Sequence, residues 1–117
     1  MNSPTTAFDK PYLENTHSPT NISKDEFEGG NTALMAQYPA QLNDKVTFVL
    51  HIKGGNHYEK LATVAPGGAE KGKVGTKINS VDDWELVGQE VTAYFNVQRN
   101  SMPVGQSSAF EFTVSDT

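Results

Sequence analysis

Apolar and polar side chains alternate along most of this chain, and the alternation predicts strands. In residues 45–53, Val46, Phe48, Leu50 and Ile52 point one way, while Thr47, Val49, His51 and Lys53 point the other. Residues 90–99 repeat the pattern, with Val91, Ala93, Phe95 and Val97 inward and Thr92, Tyr94, Asn96 and Gln98 outward. Residues 109–115 close the chain with Phe110, Phe112 and Val114 inward. Weaker alternation marks residues 32–38, residues 57–64 and the short stretch 76–81. Residues 11–15 read as a short edge strand that opens on a proline. In residues 57–64, Tyr58, Lys60, Ala62 and Val64 share a face opposite Leu61 and Thr63.

Helical signals are brief. Ser23 and Glu26 are spaced as a capping box and predict one helical turn that Gly29 and Gly30 stop. Residues 65–75 are rich in glycine and read as a mobile loop. Residues 100–106, with Pro103 and Gly105, read as a hairpin connection. The expected fold class is therefore all-β: an antiparallel, immunoglobulin-like β-sandwich of about seven strands. A small, partly open barrel is the alternative. Trp84, the single tryptophan, is expected to pack across one end of the core.

The length of 117 residues fits one domain. Residues 1–10 are expected to be a flexible N-terminal arm and residues 11–117 the single sandwich domain. With no cysteine, disulfides, thiolate-held metals and thiol nucleophiles are excluded. A formal net charge of −5 disfavours both a phosphate backbone and an anionic membrane surface. No apolar run of about 18 residues is present, so no helical membrane insertion is expected. The polar first ten residues lack a signal-peptide core. The expected setting is secreted or cell-surface by a route without a classical signal peptide, or cytoplasmic.

Three stretches resemble bacterial immunoglobulin-like repeat domains. Tyr38-Pro39 followed by Leu42-Asn43-Asp44-Lys45-Val46-Thr47-Phe48 is similar to their turn-and-strand opening. Residues 78–86, continued by Val87-Gly88-Gln89-Glu90-Val91-Thr92-Ala93-Tyr94-Phe95-Asn96-Val97, look like their central strand. Ser107-Ser108-Ala109-Phe110-Glu111-Phe112-Thr113-Val114 resembles their closing strand. The likeness spans about residues 11–115. It implies a spacer, a stalk unit or a module that carries a binding loop on a large surface or secreted protein.

Candidate chemistry is sparse. Gly67, Gly72 and Lys73 have the spacing of a phosphate-binding loop, but Val74 stands where the hydroxyl ligand of Mg²⁺ belongs. Asp82 and Asp83, beside Glu85, are carboxylates of the kind that enter a Ca²⁺ shell. His51 and His57 flank a glycine turn and would meet if their strands paired; with Glu59 or an aspartate they would suit Zn²⁺ or a similar ion. No cofactor is otherwise expected. Tyr94, Asn96 and Arg99, joined by Tyr58 from a neighbouring strand, would form a ligand-binding surface for a sugar or a protein. No nucleophile elbow is present, so no catalytic residue is assigned.

The expected function is a non-enzymatic structural or binding module of a bacterial surface or secreted system, recognising carbohydrate or protein. The alternative is a metal-dependent lectin or small hydrolase using Asp82, Asp83, His51 and His57. Self-association is expected through an uncovered edge strand, with residues 110–114 the candidate edge.

Overall fold

The structure is a computed structural model that describes residues 6–117. In chain order the strands begin with β1 (Thr6–Phe8), β2 (Tyr12–Glu14) and β3 (Asn21–Ile22). Helix α1 (Lys24–Gly29) leads to β4 (Ala33–Gln37), β5 (Lys45–Ile52) and β6 (His57–Thr63). Helix α2 (Pro66–Lys71) precedes β7 (Lys73–Lys77) and a 3₁₀ turn at Trp84–Leu86. Then come β8 (Glu90–Arg99), β9 (Met102–Ser107) and β10 (Phe110–Val114).

The strands form a seven-stranded sheet and a three-stranded sheet in the order β2-β4-β7. In the larger sheet β8 is the spine. Along one side it pairs with the whole of β5, which carries β6 at its far flank. Its other side is divided between β10, opposite Glu90 to Ala93, and β9, opposite Asn96 to Arg99. Strand β1 adds to β9 and β3 adds to β10, both in parallel.

This arrangement overturns the expected immunoglobulin-like sandwich and the resemblance behind it. The sheets mix parallel and antiparallel pairs, two helices join them, and the whole curls into a half-barrel. It lies nearer the partly open barrel. The physical reason is that the short N-terminal strands add in parallel to the free flanks of β9 and β10 instead of building a facing antiparallel layer. Of residues 110–114, Phe110 to Thr113 pair with β8 while Thr113 and Val114 pair with β3 on the other side, so β10 lies between two strands in the sheet order.

The strong strands bury the faces that alternation predicts. Val46, Phe48, Leu50, Val91, Phe95, Val97 and Phe112 are all buried. Phe48 stands opposite Phe95 in the ladder, with ring centroids 6.1 Å apart. Each such side chain contributes on the order of 1.5–3 kcal/mol by leaving water. Phe8, placed by sequence in a flexible arm, stacks on Phe95 at 5.9 Å and is buried. The rest of that expected arm, residues 1–5, lies outside the described residues.

Two further segments differ from expectation. Residues 65–75 hold α2, which starts on Pro66 and ends at Gly72 with a left-handed φ of 71°. Strand β7 follows directly and completes the small sheet through β4. Residues 100–106 are mostly strand. Asn100 and Ser101, with φ of 54° and 64°, make a two-residue turn between Arg99 and Met102.

Candidate functional site

Two buried carboxylates organise the molecule's polar chemistry. Asp44, fully buried, accepts hydrogen bonds from Arg99 Nε at 2.8 Å and Arg99 Nη2 at 2.9 Å. It also accepts from the Tyr38 hydroxyl at 2.9 Å and the Gln41 backbone N–H at 3.0 Å. The Arg99 bonds above all, together with those from Gln41 and Tyr38, hold the Asp44 carboxyl down at about 2 against the cost of burial. Arg99 is therefore spent on a fork-to-carboxylate lock at the end of β8 and is not part of an open ligand surface.

Asp83 is the second lock. It accepts from the Tyr58 hydroxyl at 2.8 Å, from Lys60 Nζ at 2.7 and 2.9 Å, and from the Asn79 backbone N–H at 3.0 Å. Burial, then the Asp83 carboxylate, push the Tyr58 hydroxyl far above its ordinary range, so it stays a donor. Lys60 also donates to the Lys77 carbonyl of β7 at 2.7 Å. One ammonium thus ties the flank of the large sheet to the edge of the small one. Asp83 has its oxygens filled by protein donors, whereas Asp82 is exposed and accepts from the Asn79 side chain at 3.1 Å.

The ligand surface read from the sequence therefore separates. Tyr94 and Asn96 lie half-buried on the outer face of β8, opposite Val49 and Thr47. Tyr58 stands on the other face, in register with Leu50, and turns to Asp83. The metal set separates as well. Asp83 is enclosed, while His51 and His57 are exposed and directly opposite one another on β5 and β6. Among the described residues no group of three or more His, Cys, Asp or Glu side chains is placed to hold a metal ion.

Trp84 corrects a further expectation: it is 65% exposed. The local sequence explains why. Asn79 Oδ1 accepts from the backbone N–H groups of Val81 at 3.0 Å and Asp82 at 2.9 Å, which folds the segment into a tight turn. Asp83 draws that turn onto β6. Ser80 N–H donates to the Phe27 carbonyl of α1 at 3.1 Å. The 3₁₀ turn then sends Leu86 into the core, fully buried, and leaves Trp84 outside. Val81, 80% exposed, and Val87, 43% exposed, belong to the same segment. Trp84 and Val87 line a cavity of about 150 Å³ with Phe27, Lys24, Glu28 and Ser80.

A scan against known protein families finds no model that matches this chain, and no curated protein matches it at a significant level.

Two features that strand periodicity passes over have signals of their own. Lys60 lies in the inward row of Tyr58, Ala62 and Val64, and a lysine there demands a buried carboxylate. Trp84 is bracketed by Asp82, Asp83 and Glu85, an acidic setting that belongs to a surface turn.

Proposed function

We propose that this chain is a non-enzymatic recognition module that takes a partner protein on the Trp84 platform. The observation that carries the reading is an exposed tryptophan on a clamped segment, at the rim of a small cavity floored by Phe27. Tryptophan, with other aromatics, is enriched where protein interfaces are most buried. An apolar anchor on a braced turn loses little freedom on docking, which lowers the cost of association. Val87, on the same cavity, widens the apolar area beside it, and the exposed Val81 in the same segment adds apolar surface, which favours a protein over a glycan. The surface or secreted setting expected from sequence rests on a likeness that the fold overturns, and it is not carried into this proposal.

The test compares the natural chain with Trp84→Ser and with Leu61→Ser, a change at an exposed position on β6. Partners are captured by photo-crosslinking, identified by mass spectrometry and titrated by tryptophan-independent calorimetry. Trp84→Ser is expected to weaken the identified partner by about 30-fold, and Leu61→Ser to leave it unchanged. Equal binding by all three chains would remove the proposal. Saturable glycan-array binding lost in Trp84→Ser would reassign the platform to carbohydrate. A second copy of the chain is one partner the capture would report, as a crosslinked homodimer.

A further inference from the structure

We propose that His51 and His57 form a two-imidazole site for a divalent transition-metal ion, Cu²⁺ before Ni²⁺ and Zn²⁺. The site lies on the outer face of the β5–β6 hairpin and is independent of the Trp84 platform. The two residues are direct cross-strand partners. Ile52 N–H donates to the Asn56 carbonyl at 3.0 Å, which places the ladder bond at the adjacent pair. His51 and His57 therefore occupy the non-hydrogen-bonded position, where facing side chains come closest. Their rings are parallel to within 8°, with centroids 6.1 Å apart.

Two imidazoles that share one ion through metal–nitrogen bonds of about 2.0–2.1 Å stand roughly 5 Å apart between ring centroids. Binding one ion requires the stacked rings to turn about χ2 until a nitrogen of each faces it in the ring plane, and to close about 1 Å; both residues are exposed, so solvent leaves room for that turn. The hairpin backbone supplies the preorganisation. Its turn is fixed by Gly54 at a φ of 72° and by the Gly55 N–H bond to the Ile52 carbonyl at 2.9 Å.

The surroundings suit a hydrated ion. The exposed position of both rings leaves the other coordination sites of the ion to water, and a groove of about 510 Å³, lined by Thr92, Glu90 and Glu111, borders His51 on its β8 side, away from His57. Lys53, one residue past the end of β5, is paired with Glu90 at 3.4 Å. Imidazole nitrogen selects Cu²⁺, Ni²⁺ and Zn²⁺ over Ca²⁺ and Mg²⁺, and the affinity order among the three follows the general first-row series.

The experiment titrates the full chain with each chloride salt alone and follows the histidine ring signals by NMR, with calorimetry for affinity. One ion per chain is expected, with the His51 and His57 signals affected and the His17 signals unchanged. His51→Ala and His57→Ala should each weaken binding at least tenfold, and Ca²⁺ should not compete. His51→Gln is the milder second variant, with the same loss expected. Circular dichroism confirms that each variant keeps the fold. Binding that survives all of these variants, a loss of equal size in His17→Ala, or no binding at millimolar ion would overturn the proposal.

Discussion

Lys60 Nζ lies 2.7 Å from Asp83 Oδ2, with the lysine side chain 14% and the aspartate side chain 1% exposed. This pair joins the flank of the large sheet to the segment that presents Trp84. Its lysine sits on β6, which among the described residues pairs on one side only, with β5. An inward-pointing charge on such a strand is also a device against edge-to-edge aggregation.

Removing one partner of a buried pair strands the other, at a cost of about 3–5 kcal/mol. Asp83→Ala should therefore destabilise the chain by that order, since it leaves Tyr58 and the Asn79 N–H without their acceptor and the Lys60 ammonium without its counter-charge. Asp82→Ala, at an exposed neighbour, should cost under about 1 kcal/mol. Urea denaturation of the two variants checks the contrast. Equal losses would contradict the clamp.

Acid should act through Asp44. Its folded carboxyl sits at about 2, below the ordinary value of 3.8. A depressed folded value means stability that is fully present above the unfolded pKa and is lost as pH falls toward the folded one. The Asp44 contribution is thus present above about pH 4 and fades between about pH 4 and 2, on the order of 2 kcal/mol in all. Asp44→Asn should lower stability at neutral pH and flatten that part of the acid limb. Chemical denaturation at a series of pH values reads both effects, and an unchanged acid limb would refute the assignment.

Gly68 makes a backbone test. A Cβ there would stand 2.8 Å from the Lys73 carbonyl oxygen, with the Val64 side chain at 3.6 Å. Gly68→Ala would gain helix propensity yet must push α2 off β7. The expected net effect is a loss of about 1–3 kcal/mol, as for other forced overpacking. Gly67→Ala, where nothing lies within 4 Å, should be neutral or stabilising. A thermal melt of the pair checks the order.

Much of the large sheet could be read from the chain. Val46, Phe48, Leu50 and Ile52 against Thr47, Val49 and His51 leave little doubt about β5, and the meeting of His51 with His57 follows from its hairpin. The parallel additions could not be read, because Thr6–Phe8 and Asn21–Ile22 are too short to carry a period. Helix α2 was hidden by Gly67 and Gly68, poor helix formers that outweighed the Pro66 start and Gly72 stop. Tyr58 and Arg99 share one feature. Both sit at positions whose parity faces inward, where each finds a buried carboxylate. Strand parity shows which way these side chains face, and the carboxylates they meet come from distant turns that parity does not place.

Trp84 should be fixed as well as exposed. Asp83→Asn loosens the segment, and the rotational freedom of the indole should increase. Time-resolved fluorescence anisotropy would show a larger fast component in the variant than in the natural chain. Identical decays would separate the lock from the platform.

The most direct test of the account is acrylamide quenching of the native fluorescence, which comes from one tryptophan. An indole 65% open to solvent should emit at the long-wavelength end and be quenched almost as efficiently as in the urea-unfolded chain. Protected, short-wavelength emission from the dilute native monomer would place Trp84 inside the protein and contradict a recognition platform built on it.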